Sequence, residues 1–119
     1  MLVNLSNHPS DKWGEAQKEA AKKFGKIVDI PFPTIPPDED SHDLNALVRE
    51  YHKKVTDVGD GTPMKVHIMG EMTFTYRLVN LLREFGNIPC IASCTARNVV
   101  ELPDGTKQSR FEFVQFRRY

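Results

Sequence analysis

The residues best suited to chemistry surround Gly70, where an apolar segment gives way to a helical pattern. Residues 64–69 are mostly apolar, which favours a short buried strand, and the apolar residues that follow recur at helical spacing. A strand that turns over a glycine into a helix presents backbone amides to a ligand, and such a site favours an anion such as phosphate. Thr73 and Thr75 add hydroxyl donors there. An ordinary turn in which Thr73 only caps the helix explains the same residues.

Apolar runs and helical stripes alternate along most of the chain. We predict strands at 2–5, 27–30, 64–69 and 88–93, because each run is short and bounded by turn-forming residues. Helical segments separate them, and glycines mark where these segments end. On the third helix we expect a buried stripe of Leu78, Leu81 and Leu82.

The end of the chain has a different pattern. Residues 99–102 and 109–116 flank a Pro-Asp-Gly-Thr turn, which predicts a β-hairpin. Strict alternation along its second strand places Phe111 and Phe113 on one face and Phe116 on the other.

This order predicts an α/β fold, namely a small Rossmann-like three-layer domain. Residues 1–119 form one domain with a mainly parallel sheet and a C-terminal β-hairpin. If the strand order is 2-1-3-4, the carboxyl ends of the first and third strands flank the crevice where open α/β sheets bind ligands. The polar turn of Ser6, Asn7 and His8 then lies beside the Gly70 turn. The meeting of these two turns favours the interpretation as an anion site.

Composition excludes several functions. The chain has 16 basic and 16 acidic residues and a net charge of zero, which argues against duplex DNA as a partner. It has no apolar run of about 18 residues and no N-terminal signal pattern, so we expect no membrane partner and a cytoplasmic location. Cys90 and Cys94 would lie roughly 13 Å apart on one strand, too far for a disulfide. We expect no cofactor and no metal, because nucleotide-binding glycine motifs and carboxylate clusters are missing.

Four segments of the chain resemble a known family. They are Asn4-Leu5-Ser6-Asn7-His8-Pro9, Ile27-Val28-Asp29-Ile30-Pro31, Met69-Gly70-Glu71-Met72-Thr73-Phe74 and Arg110-Phe111-Glu112-Phe113. In order and spacing they resemble the small single-domain CRISPR-associated accessory proteins. These are relatives of the Rossmann-like domains that sense cyclic oligoadenylates in type III systems, and some relatives are ring nucleases.

The resemblance implies a ligand, a partner and a set of site residues. The ligand would be a cyclic oligoadenylate, with cyclic tetra-adenylate expected, and its two-fold symmetry suits a homodimer. The turns after the first and central strands would hold it through Ser6, Asn7, His8, Gly70, Glu71, Met72, Thr73, Phe74 and Thr75. Arg97 is the best placed side chain to bind a phosphate, although a plain surface arginine explains it equally well.

The resemblance also implies a reaction. In metal-independent members the ligand's own 2′-hydroxyl attacks the adjacent phosphate, and a histidine can move the proton. His8 is the catalytic candidate, while the alternative is that it only shapes the turn before Pro9. The sequence leaves three classes open: an antiviral-defence ring nuclease, a protein that sequesters the messenger intact, and a structural subunit.

Overall fold

Strands and helices alternate along the chain until its last third, where two long strands pair. A computed structural model describes residues 1–119. Short 3-10 turns at Ser10–Lys12 and Lys22–Phe24 flank the first helix. The elements are β1 (Leu2–Ser6), α1 (Glu15–Ala21), β2 (Ile27–Pro31), α2 (Ser41–Gly59), β3 (Lys65–Met69), α3 (Met72–Glu84), β4 (Cys90–Glu101) and β5 (Lys107–Arg118).

The five strands form one mixed sheet in the order β2-β1-β3-β4-β5. β2, β1, β3 and β4 run parallel, and β5 pairs antiparallel with β4. The order 2-1-3-4, on which the expected position of the crevice depends, is the observed order of these strands, and the predicted α/β fold with a mostly parallel sheet and a C-terminal hairpin is confirmed. This architecture is compatible with a small Rossmann-like domain.

The sequence predicted six strands, and that number was wrong. The predicted strand ending at Ser93 and the first strand of the hairpin are one continuous strand, β4. Residues 94–98 contain no glycine or proline to interrupt it. Pairing with β5 runs from Ile91 opposite Arg118 to Glu101 opposite Lys107, so the whole length of β4 has backbone partners.

A β-bulge alters the faces of β5. Cys94 lies opposite Gln115, but the next residue, Thr95, lies opposite Phe113, which leaves Val114 without a direct partner. The rings of Phe113 and Phe116 consequently pack against each other at a centroid distance of 4.9 Å. The prediction that they occupy opposite faces was wrong, because alternation is interrupted by the extra residue.

Hydrophobic clusters cover both faces of the sheet. The larger cluster joins alternate strand residues, including Val3 and Leu5, to the apolar stripes of α2 and α3. The smaller cluster joins Leu2 and Ile91 to Trp13 and Ala21, before and within α1. The prediction of a buried stripe on α3 is confirmed for Leu78 and Leu82, which are fully buried. Leu81 is only partly buried.

Two further expectations concern membrane spans and the cysteine thiols. No helix has both the length and the apolar character that crossing a bilayer requires. Cys90 is buried and Cys94 half-buried, and both are free thiols. Burial raises the pKa of the Cys90 thiol to about 11, so this side chain behaves as a small apolar group.

Truncation of Leu78 tests the larger cluster. Because its side chain is fully buried between α3 and the sheet, we expect Leu78→Ala to lower the free energy of unfolding by about 2–5 kcal/mol. Leu81→Ala is the matched control on the same helix and should cost less, since Leu81 is only partly buried. Urea denaturation of both variants measures the difference, and equal losses would contradict this account of α3.

Candidate functional site

The two predicted turns do meet, and a crevice lies between them. β1 and β3 are neighbours in parallel register, with Ser6 opposite Met69, so both strands end at the same edge of the sheet. A cavity of about 570 Å³ opens there. Its lining contains no carboxylate and consists of Ser6, Asn7, His8, Lys12, Trp13, Gly14, Gln17, His67, Met69, Gly70, Ser93, Thr95 and Phe111. Of the predicted ligand-binding residues, Ser6, Asn7, His8 and Gly70 therefore come together.

The turn after β1 is held by its own backbone carbonyl. The carbonyl oxygen of His8 accepts hydrogen bonds from Asn4 Nδ2 at 2.9 Å, Trp13 Nε1 at 3.1 Å and Ser6 Oγ at 3.2 Å. The His8 residue is nevertheless exposed. The backbone is thus fixed while the imidazole borders the crevice, which is the arrangement that a proton-transferring histidine needs.

Gly70 packs directly against an aromatic side chain of the protein. A Cβ at this position would collide with the ring of Phe32, from the loop between β2 and α2. That ring packs edge-on against Phe74 at a centroid distance of 5.2 Å. The sequence interpretation assigned the missing side chain to ligand approach, but in the structure Phe32 takes up that space.

The amides at the start of α3 also differ from expectation. The carboxylate of Glu71 accepts hydrogen bonds from the Thr73 amide at 3.0 Å and the Phe74 amide at 2.8 Å. The hydroxyl of Thr73 donates to the same carboxylate. The Phe74 amide first, and then the Thr73 amide and hydroxyl, hold the pKa of Glu71 below its ordinary value. An internal anion therefore occupies the position at which the sequence predicted an external one.

The remaining predicted residues lie apart from the crevice. Phe74 is fully buried in the core. Met72 and Thr75 border a smaller cavity of about 270 Å³, on the α3 side of Gly70, and the buried Thr75 hydroxyl has no partner. Arg97 lies on the hairpin, where its guanidinium donates to Ser109 Oγ at 3.0 and 3.2 Å. Arg97 is directly opposite Phe111, which does line the crevice, so it extends the same wall.

A polar chain that the sequence interpretation missed runs under the crevice. Asn4 Nδ2 donates to Asp29 Oδ1 at 2.8 Å as well as to the His8 carbonyl, so the amide orientation of Asn4 is determined. Its Oδ1 can only accept, and it lies 2.8 Å from His67 Nδ1. His67 Nδ1 must therefore carry the proton, and Nε2 must accept from Ser93 Oγ at 2.7 Å. The order Ser93–His67–Asn4 is that of a nucleophile, a base and an orienting amide.

Both ends of this chain are anchored. Gln17 Nε2 donates to Ser93 Oγ at 3.0 Å. At the other end, Asp29 accepts from Ser10 through both the hydroxyl and the amide. Partial burial works against ionisation of Asp29, but the hydrogen bonds from Asn4 and Ser10 outweigh it and lower the pKa of the carboxyl.

His67 is neutral in this setting. Only 2% of its surface is exposed, and the Trp13 ring packs edge-on against it at 5.4 Å. Burial first, and then the proximity of His8, lower the pKa of His67 to about 4. The imidazole thus keeps the Nδ1–H form that the Asn4 oxygen selects.

The sequence contained a signal for this polar chain of side chains. β1, β2 and β3 each carry one polar residue after a valine: Val3-Asn4, Val28-Asp29 and Val66-His67. In the structure these three polar residues are in register across adjacent strands. A polar residue in a buried strand needs a hydrogen-bonding partner, and the neighbouring strands supply it.

One group of side chains elsewhere has the composition of a metal site. Asp40, His42 and Asp43 bring their ligand atoms within 4.8 Å of one another, but all three are exposed. Asp40 already accepts the Asp43 amide as the N-cap of α2. These contacts are those of a helix start, and the crevice itself offers no carboxylate for a hard cation.

Comparison with known proteins places the chain in a family. Residues 1–117 match the family described as Uncharacterized protein MJ1673 family. The chain belongs to this family. No curated protein and no solved structure matches it significantly. The description of the MJ1673 family specifies no activity, so the function of this member is inferred from its crevice.

Substitution of Gly70 tests its packing against Phe32. We expect Gly70→Ala to destabilise the protein by about 1–3 kcal/mol, because the new methyl displaces a packed ring. In a Phe32→Ala background, the same substitution should cost less than about 0.5 kcal/mol. Gly14→Ala is the control, since a Cβ at Gly14 meets no atom within 4 Å. An equal cost in both backgrounds would rule out the Phe32 contact as the cause.

The pH dependence of stability tests the burial of neutral His67. Its folded pKa of about 4 lies below the ordinary 6.5, so its contribution is complete above pH 6.5 and is lost as the pH falls toward 4. The shift corresponds to about 3 kcal/mol. Urea denaturation between pH 7 and pH 5 should show more than half of this loss, and His67→Gln should not. Parallel curves for the two proteins would contradict the assignment.

Proposed function

We propose that this protein is a CRISPR-associated member of type III defence that binds a cyclic oligoadenylate, with cyclic tetra-adenylate as the first candidate, across a homodimer. In this proposal it ends the signal by cleaving the ring without a metal ion. The fold would be the small Rossmann-like version of the α/β architecture described above. The observation that carries the proposal is the polar crevice between the ends of β1 and β3.

The lining of the crevice supports an anionic nucleotide as ligand. It contains an amine, an exposed imidazole, hydroxyls and amides, and it has no carboxylate to repel phosphate. Phe111 adds an exposed aromatic ring of the kind on which nucleobases stack. Lys12 supplies positive charge at the site even though the net charge of the chain is zero.

The chemistry of ring opening suits these groups. The ligand's 2′-hydroxyl attacks its neighbouring phosphorus, the bond to the 5′ oxygen breaks, and a 2′,3′-cyclic phosphate remains. The protein has to hold the ribose so that the attack is in line and must stabilise the developing charge. His8, with its fixed backbone and exposed ring, is the group proposed to transfer a proton.

Two features support a homodimer: the symmetry of the ligand and the exposed apolar surface of the hairpin. A ring of four nucleotides has an approximate two-fold axis, which an isologous dimer shares. The hairpin carries exposed apolar side chains at Val99, Phe111 and Val114. β5 is also an edge strand of the sheet, and unprotected edges favour pairing.

Incubation of the protein with labelled cyclic tetra-adenylate in EDTA tests the proposal. We expect linear di-adenylate products, and light scattering should give twice the 13.6 kDa mass of the chain. His8→Ala should bind the ring but cleave it more slowly, whereas His42→Ala, which removes an exposed side chain at the start of α2, should cleave like the parent.

Other outcomes of this experiment decide against all or part of the proposal. A ring that is bound but stays intact would identify a protein that sequesters the messenger. No binding would reject both functions. A monomeric mass with and without ligand would reject the shared-ring arrangement.

A further inference from the structure

The hydroxyl of Ser93 has one hydrogen-bonding position that no protein group uses. Its proton goes to His67 Nε2, and one lone pair accepts from Gln17 Nε2. A hydroxyl oxygen has a second lone pair. Ser93 lines the crevice, so this lone pair is available to a hydrogen-bond donor of a bound ligand.

The geometry points to Ser93 as a catalytic residue that accepts a proton from a ligand hydroxyl in the crevice, with His67 and Asn4 as its positioning residues. This inference rests on the proposed function, because the ligand hydroxyl in question is the attacking 2′-hydroxyl of a cyclic oligoadenylate. It assigns the base to the buried chain and leaves the exposed His8 for the leaving group.

The proposed proton transfers balance. As the 2′ oxygen forms its bond to phosphorus, its proton moves to Ser93 Oγ, and the Ser93 proton moves to His67 Nε2. The bond from phosphorus to the 5′ oxygen breaks, and that oxygen takes a proton from the imidazolium of His8. His67 then returns its extra proton to water through Ser93, and water reprotonates His8.

The remaining contacts of His67 explain why such a relay would work only with ligand bound. In the free protein, burial and the neighbouring His8 keep His67 neutral. A phosphate in the crevice adds a negative charge near the ring, and an opposite charge favours the protonated form. Asn4 Oδ1, 2.8 Å from Nδ1, holds the ring in place while the charge develops.

Substitutions on β4 separate this role from a structural one. Ser93→Ala removes the hydroxyl, and Asn98→Ala is the control, because Asn98 is an exposed polar residue on the same strand and does not line the cavity. Cleavage of cyclic tetra-adenylate is measured under single-turnover conditions, beside its Kd and the thermal midpoint of each variant. We expect Ser93→Ala to bind within about threefold of the parent and to cleave at least about 100-fold more slowly. Asn98→Ala should cleave like the parent.

A pair of variants of nearly identical shape covers the case in which Ser93→Ala does not fold. Ser93→Thr keeps the hydroxyl and should cleave at least tenfold faster than Ser93→Val, which replaces that hydroxyl with a methyl group. Equal rates for these two variants would overturn the relay.

The outcomes also distinguish the relay from the proposed function. If the parent cleaves the ring and Ser93→Ala cleaves it equally fast, the relay alone is overturned. If the parent binds the ring and leaves it intact, cleavage and the relay are both overturned while binding stands. If the parent does not bind the ring, the proposed function fails and the relay fails with it.

Discussion

The candidate site depends on the hydrogen bonds made by the side chain of Asn4. Asn4 is 1% exposed in β1, between β2 and β3, and makes hydrogen bonds to both neighbouring strands and to the turn after β1. Its amide nitrogen binds Asp29 on β2 and the carbonyl of His8, and its oxygen binds His67 on β3. One residue thereby connects three strands or their ends, and it determines which ring nitrogen of His67 carries a proton. An apolar residue there would leave several buried polar atoms without partners.

The polar chain and the hydrophobic clusters divide the sheet between them. The face toward α2 and α3 is apolar and contains the large cluster, which stabilises the fold. The face toward α1 combines a small cluster with Asn4, His67 and their partners. Polar groups in such a setting interact more strongly than they would in water, and they also cost more if unsatisfied. The larger hydrophobic cluster and the candidate site thus lie on opposite faces of one sheet.

Much of the architecture follows from local patterns. Strand-helix alternation, with glycines at the ends of the elements, was enough to predict a mostly parallel sheet. Given the order 2-1-3-4, it also placed Ser6, Asn7 and His8 beside Gly70. The environment of Gly70 was not predictable in this way, because Phe32 is distant in sequence and approaches only in the fold. The cap formed by Glu71 also escaped prediction, since threonines in the first turn are equally good candidates.

The polar chain shows a different limit. When each strand is considered by itself, its polar residue looks like an isolated exception to the apolar pattern. These residues are Asn4, Asp29, His67 and Ser93. They form a set only when the register between strands is known, and register depends on the packing of the whole sheet. The bulge near Cys94 has the same origin, because no residue type in 113–116 requires it.

The unbroken length of β4 has a geometric consequence. Ser93 lies near its beginning, and the strand continues for eight residues to Glu101, or about 26 Å at about 3.3 Å per residue. No loop separates the crevice from the far end of the hairpin, so the two are held at a set spacing, with the bulge as the main point of bending. The strand therefore fixes a distance: any molecule that contacts the tip of the hairpin is held about 26 Å from Ser93.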